Sequence, residues 1–234
     1  MGAQLMRVVD LASVSRRELN RVLHALPAST NETRWRVENP AGQHSLAVGL
    51  DVPVAVEIAG HAGYYCGGMN RQATITVAGN VGVGVGENMM SGKIHVLGDA
   101  SQAAGATAHG GLLVIEGNAS ARCGTSMKGI DIVVKGSIGP MSAFMAQAGN
   151  LVVLGDAGDA LGDSIYEARI YVRGAVKSLG ADCIEKPMRD EHRKDLRALL
   201  DAAGLNGAVG IEDFRRYGSA RTLYNFHIDN IAAY

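Results

Sequence analysis

The sequence is poor in the residues that build disulfides and redox centres. It contains three cysteines in 234 residues, Cys66, Cys123 and Cys183. No pair of them has the C-x-x-C spacing typical of zinc and iron–sulfur sites. The chain therefore lacks a sequence pattern for a metal cluster of its own, and we expect no metal ligand and no bound cofactor in it.

Charge of one sign and long apolar runs are also scarce. The 22 Lys and Arg residues nearly balance 23 Asp and Glu residues, giving a net charge of −1. Proteins that bind nucleic acid or anionic membranes usually show a clustered basic excess. No apolar run reaches the roughly 18 residues of a membrane span, and no basic region followed by an apolar stretch begins the chain. We expect a cytoplasmic chain without a nucleic-acid or membrane partner.

Signatures of catalysis are missing as well. Residues 81–86 alternate valine and glycine like a dinucleotide-binding turn, but only residues 87–92 precede the next predicted strand, which is too short for a crossover helix. No nucleophile elbow is present, the seven histidines occupy unrelated positions, and the acidic residues do not cluster on one strand face. We therefore expect no catalytic residue in this chain.

Glycine is abundant instead, with 31 residues, and one glycine returns every 19 positions without interruption. The residues two and four positions before each of these marker glycines are always branched aliphatic. That alternation predicts a short strand with one face inward. The marker glycines are Gly60, Gly79, Gly98, Gly117, Gly136, Gly155 and Gly174.

A period near twenty with one strand per unit is typical of a solenoid. A leucine-rich repeat is excluded because its leucine consensus and its asparagine or cysteine ladder are missing. A hexapeptide-repeat fold is excluded because 19 is no multiple of six. The sequence predicts an all-β core, a right-handed parallel β-helix of about seven turns and roughly 30 Å length. Cys66 and Cys123 then lie three turns apart, about 14 Å, which is too far for a disulfide.

The flanks differ from the repeats in composition and divide the chain into three parts. Residues 1–53 are predicted to form a helix-and-strand cap, with a helix beginning after Ser15, because an open solenoid end is an exposed sheet edge. Residues 54–186 are predicted to form the β-helix. Residues 187–234 contain a predicted helix at 189–203 and an aromatic tail.

The aromatic tail has two interpretations. It packs on its own rod, or it docks on a partner subunit, since aromatic residues and arginine dominate interface hot spots. The candidate interface residues are Phe214, Arg215, Arg216, Tyr217, Tyr224 and Phe226.

Small residues also recur three and seven positions after the markers, as in Gly60-x-x-Gly63-x-x-x-Gly67. This repeated motif, over about residues 50–186, resembles the GXGXG β-helix domain that ends the large subunit of glutamate synthase. It is also similar to the β-helix subunits of formylmethanofuran dehydrogenase and of the related formyltransferase/hydrolase complex. The resemblance implies a scaffold that packs against amidotransferase and flavin domains and contributes no catalytic residue.

In glutamate synthase this domain is the tail of a very long chain, whereas here it starts at Met1, like one of the subunits of N-methylglutamate synthase. The resemblance implies a hetero-oligomer that serves methylamine assimilation. Its partners would be an amidotransferase-like subunit and a glutamate-synthase-like subunit that carries FMN and an iron–sulfur cluster. Two alternatives remain open. One is a scaffold in a one-carbon complex of the formyltransferase/hydrolase type, and the other is a β-helix that is itself an enzyme or a ligand-binding module.

Overall fold

The structure is a computed structural model, and it describes residues 6–221. These residues form a parallel β-solenoid with two short helices, as the 19-residue period predicts. The strands are β1 (Met6–Asp10), β2 (Arg34–Glu38), β3 (Ala55–Ile58), β4 (Thr74–Val77), β5 (Lys93–Val96), β6 (Leu112–Ile115), β7 (Lys128–Val134), β8 (Ala148–Val153), β9 (Arg169–Val172), β10 (Cys183–Lys186) and β11 (Arg215–Ser219). The helices are α1 (Arg16–His24) and α2 (Asp190–Ala202).

The strands from β3 to β9 are the seven predicted turns. Each pairs in parallel with the next in a register of one repeat, so that Val56 lies beside Ile75, and Ile75 beside Ile94. The aliphatic residues two and four positions before each marker glycine are all buried. A second ladder of parallel bridges, beginning at Ala62 and Val81, runs two positions after the markers. The rod's core lies between these two ladders.

The coil after each strand contains left-handed residues at alternate positions. Five, seven and nine residues after Gly60 stand Tyr65 (φ 58°), Gly67 (φ 65°) and Met69 (φ 57°), and the next five turns repeat this pattern. The N–H of Tyr65 donates to the following turn, whereas the N–H of Gly67 donates to the preceding one. The alternation thus lets successive coils hydrogen-bond in both directions along the rod.

A ladder of polar side chains follows the marker glycines by one position. The Oδ1 atom of Asn80 accepts a hydrogen bond of 2.9 Å from the N–H of Asp99, and Asp99 accepts one of 2.7 Å from Asn118. Asparagine fills only two of the six accepting positions, so the ladder is not visible as an asparagine repeat. The accepting residues are His61, Asn80, Asp99, Asn118, Ser137 and Asp156.

The N-terminal segment adds a turn to the solenoid. β2 pairs in parallel with β3, and Trp35 lies beside Val56 in the core. The coil that follows β2 hydrogen-bonds to the coil after β3, as in Ser45 N–H to Tyr64 O. Asn39 takes the place of a marker glycine here (φ 52°). The series of marker glycines therefore begins one turn after the solenoid itself.

Helix α1 packs over this end of the rod. It begins after Ser15, whose hydroxyl accepts a hydrogen bond from the N–H of Glu18, which confirms the predicted start. Leu19 and Leu23 are fully buried in the rod's core cluster, and the Asn20 side chain donates to Ser45 O at 2.7 Å. The helix therefore covers the apolar interior at the first turn.

The C-terminal end is closed by an antiparallel addition to the sheet. β11 inserts between β9 and β10 and is antiparallel to both. Helix α2, predicted at 189–203, lies on the outward face of β6 to β9 and buries Leu196, Leu199 and Leu200. It covers four outward-facing strand residues, Val114, Val133, Val152 and Tyr171.

Candidate partner-binding surfaces

The C-terminal aromatic segment lies mainly inside the chain. Phe214 packs beneath α2, and Tyr217 belongs to the core of the rod. The Arg216 side chain is also buried and donates from Nε to Pro187 O at 3.1 Å. Because β11 is an internal strand, these three side chains are buried within the chain and are not accessible to a partner, contrary to the docking hypothesis. Arg215 is exposed, and Tyr224 and Phe226 lie outside the described residues.

The outward face of the sheet is divided between α2 and an uncovered charged region. Glu116 joins two neighbouring strands there, since His95 Nε2 lies 2.6 Å and Lys135 Nζ 2.8 Å from its Oε1. Burial raises the pKa of Glu116, but the hydrogen bonds from Lys135 and His95 outweigh it and lower the pKa overall. Arg36 likewise pairs with Glu57 across β2 and β3. These charges are paired within the rod itself.

A polar row beneath α2 anchors the helix to the sheet. Arg169 on β9 pairs with Asp195 of the helix at 2.8 Å. Asn150 donates to Asp131 at 2.8 Å. Burial raises the pKa of Asp131, and the charge of Asp195 adds to that rise while the Asn150 hydrogen bond opposes it. The row therefore helps to fix the position of α2 on the sheet.

The cysteines lie inside the rod. Cys66 and Cys123 are fully buried at equivalent positions, six residues after their markers, and all three cysteines are free thiols. Burial raises the pKa of both Cys66 and Cys123 to about 12. Thiols in such apolar surroundings are poor nucleophiles, so these two side chains act as core residues.

Neither a metal centre nor a membrane span is found in the part of the chain that the structure describes. Among residues 6–221, no group of three or more His, Cys, Asp and Glu side chains is placed to hold a metal ion. None of the helices that the structure describes is long and apolar enough to cross a membrane.

One coil corner of the rod exposes large apolar side chains. Tyr64, Tyr65 and Met69, which we call the tyrosine patch, are 50%, 47% and 55% exposed. The rings of Tyr64 and Tyr65 lie against the bare Cα atoms of Gly82 and Gly84 in the next turn. The two tyrosine rings thus lie where the neighbouring coil has glycine and presents no side chain.

A curated protein settles the family. The chain is 66% identical over 229 residues to Protein GlxC of Rhizobium meliloti (strain 1021), a match that covers 98% of this chain and 100% of GlxC. The chain belongs to the GlxC family. No profile of a known protein family matches it, and no solved structure does.

The marker glycines of this GlxC-family chain all lie beside the preceding turn. A Cβ atom on Gly136 would meet Asn118 Oδ1 at 2.5 Å, and one on Gly155 would meet Ser137 Oγ at 2.5 Å.

The polar ladder was not predicted, and neither was the tyrosine patch. The sequence shows the patch only when successive turns are compared: at the positions of Tyr65 and Met69, the next turn has Gly84 and Asn88.

Proposed function

We propose that this chain is a non-catalytic scaffold subunit of a glutamate-synthase-type complex, and that the complex is N-methylglutamate synthase. The observation that carries the proposal is the uninterrupted solenoid of residues 54–186. This is the segment that resembles the GXGXG domain of glutamate synthase, and its turns stack in the register that the motif predicts. GlxC supports the subunit form of the proposal, because the match covers 100% of GlxC and leaves no further domain in that protein.

The hydrogen bonding between the turns of the rod supports the scaffold role. Each internal turn hydrogen-bonds to both neighbours through its strand and its coil, so the two ends of the solenoid hold a fixed separation. We place the chemistry in an amidotransferase-like subunit and in a second subunit that carries FMN and an iron–sulfur cluster. By holding these subunits at a fixed distance and orientation, the rod would let an amine intermediate pass between their active sites without escaping into solvent.

Reconstitution from separately purified chains tests this function. We expect the three chains together to convert methylamine and glutamate into N-methylglutamate and ammonia, and expect the two partner subunits without the rod to lose most of that activity. The rod alone, assayed with methylamine or with ammonia, should make neither N-methylglutamate nor glutamate. Product formation by the isolated rod would overturn the scaffold role.

The composition of the native assembly separates the scaffold in an amine-using complex from the one-carbon alternative. The chain, tagged and purified from its own cells, should bring down an amidotransferase-like chain and a yellow, flavin-absorbing one. Recovery of amidohydrolase-like and formyltransferase chains would replace the proposal with a formyltransferase/hydrolase scaffold. A flavin or metal bound to the isolated rod would favour a ligand-binding module.

A further inference from the structure

One acidic side chain of the next turn, Glu87, borders the tyrosine patch. A Cβ atom on Gly84 would meet the Tyr65 ring at 3.2 Å and Glu87 Oε2 at 2.7 Å, so the ring and the carboxylate flank the same bare Cα. The N–H of Met69 donates to the carbonyl oxygen of Glu87 at 2.8 Å. Glu87 therefore belongs to the same surface as the three exposed apolar side chains.

The patch residues hold backbone conformations that large side chains rarely adopt. Tyr65 and Met69 are left-handed, with φ of 58° and 57°, which costs an L-residue about 1–2 kcal/mol. The coil geometry does not require a large side chain at either place, because the next turn has Gly84 and Asn88 there. The left-handed φ itself belongs to the coil, since the same positions repeat in the following turns, but the large exposed side chains at Tyr65 and Met69 are not needed for it.

Glu87 has no cation beside it among residues 6–221. Burial raises the pKa of this carboxyl group, and no described ion pair or side-chain hydrogen bond offsets that desolvation. Glu116, which is also partly buried, is paired with Lys135 and differs from Glu87 in this respect. Glu87 is therefore a partly buried carboxylate that stays available to a cation from outside the described residues.

We propose that the tyrosine patch and Glu87 form the docking site for a partner polypeptide, which presents an apolar segment carrying one Arg or Lys. The apolar side chains of the occupant cover Tyr64, Tyr65 and Met69, and its cation pairs with Glu87. Tyrosine and methionine are enriched at interface cores, and a buried cation–carboxylate pair adds specificity. The inference rests on the proposed function only in requiring that the chain works within an assembly.

Footprinting of the native assembly tests whether the patch is covered. The tagged chain is purified from its own cells together with its bound partner chains. Its hydroxyl-radical labelling is then compared with the labelling of the chain purified alone. We expect labelling of Tyr64, Tyr65 and Met69 to fall several-fold in the assembly. Equal labelling in both samples would overturn the docking site, and so would recovery of the chain without a partner. The identity of the co-purified chains tests the proposed function separately.

Two other occupants would also overturn the proposal. If residues 222–234 of this chain cover the patch, the isolated chain is already protected and its truncation after Arg221 raises the labelling. If a second copy covers it, the chain purified alone is a dimer whose patch is protected in proportion to dimer formation. We expect a monomer with a reactive patch in both forms of the isolated chain.

Paired variants separate docking from folding. Met69→Gly removes an apolar side chain and relieves the strained φ, so the isolated chain should be at least as stable as the wild type. Its affinity for the co-purified partner should fall about tenfold or more. Met145→Gly is the matched control, since Met145 occupies the same place four turns further on, with φ 51° and 40% exposure. An equal loss of affinity in the control would assign the effect to the coil backbone and overturn the site.

The role of the Glu87 charge is tested by the same measurement of affinity for the co-purified partner. Glu87→Gln removes an unpaired, partly buried charge, so the isolated variant should keep or gain stability while its affinity for the partner falls. Affinity equal to that of the wild type, with the same dependence on salt, would exclude a cationic occupant.

Discussion

The Oδ1 atom of Asp99 occupies the position that a Cβ atom on Gly117 would need. The same oxygen accepts the 2.7 Å hydrogen bond from the N–H of Asn118, so it cannot move away without breaking the polar ladder. The carbonyl oxygen of Gly98 also lies 3.0 Å from that Cβ position. Gly117 is not left-handed. The preceding turn therefore requires glycine at this marker, and the backbone dihedral does not.

Gly117→Ala should destabilise the rod by about 1–3 kcal/mol, because overpacking forces a shift of backbone or of a bonded side chain. Urea unfolding followed by circular dichroism measures the change. An unchanged midpoint would contradict the contact between the marker and the ladder.

A double mutant identifies the atom responsible. In the Gly117→Ala background, Asp99→Ala removes the obstructing carboxylate, so the two changes should be less destabilising together than the sum of each alone. The expected coupling is at least about 0.5 kcal/mol. Additive effects would assign the cost to the Gly98 carbonyl.

The alternation of left-handed and other residues in the coil predicts that an Ala→Gly substitution has opposite effects on stability at two positions. Ala160 is left-handed, with φ 54°, and Ala160→Gly should raise stability by up to about 1 kcal/mol, since the relieved strain exceeds the added chain entropy. Ala146 is fully buried and not left-handed, and Ala146→Gly should lower stability by about 1–2 kcal/mol. Thermal unfolding measures the stability of both variants. Equal changes in stability would contradict the alternation of left-handed residues in the coil.

The strict 19-residue period explains why the strands were predictable. Each marker glycine locates the inward pair before it, as Ile94 and Val96 before Gly98 show, and the core follows from that alternation. Helix α2 was predictable for a similar reason, because its apolar residues repeat at helical spacing. Local pattern and tertiary structure agree in these elements.

The rest depends on relations that no local pattern contains. β11 has no clear alternation, and its position between β9 and β10 is a property of strand order. A strand at β2 was part of the predicted cap, but the full coil that follows it was missed because Asn39 replaces the marker. The tyrosine patch was missed because exposure and left-handed φ at Tyr65 become visible only when the coils are stacked.

Asp131 should make the rod less stable as the pH rises. Its carboxyl group has a raised pKa in the folded chain, mainly through burial, so the unfolded chain ionises first. The contribution of Asp131 is fully present below the ordinary value of 3.8 and is lost as the pH rises through the folded pKa. Asp131→Asn keeps an oxygen for Asn150 and should be at least as stable as the wild type at pH 7. A less stable variant, measured by urea unfolding, would contradict the raised pKa.

Glu116 should have the opposite dependence, because Lys135 and His95 lower its pKa despite burial. Its contribution is present above the ordinary value of 4.5 and is lost as the pH falls through the folded pKa. Glu116→Gln should lower stability at pH 7 by up to about 1 kcal/mol, since these side chains are partly exposed. The difference from the wild type should shrink in acid, and a constant difference would argue against an ionic cause.

The cysteines test whether the turns stay closed in solution. Cys66 and Cys123 lie inside the rod with a pKa of about 12 each, and burial raises that of Cys183 to about 12 as well. Thiolate is the reactive species, so Ellman's reagent at pH 8 should label none of them within minutes in the native chain. In denaturant it should label all three. Labelling of Cys123 in the native chain would mean that the central turns open, because its side chain is fully buried between them. Labelling of Cys183 alone would locate the opening at the antiparallel C-terminal closure and leave the stacked turns intact.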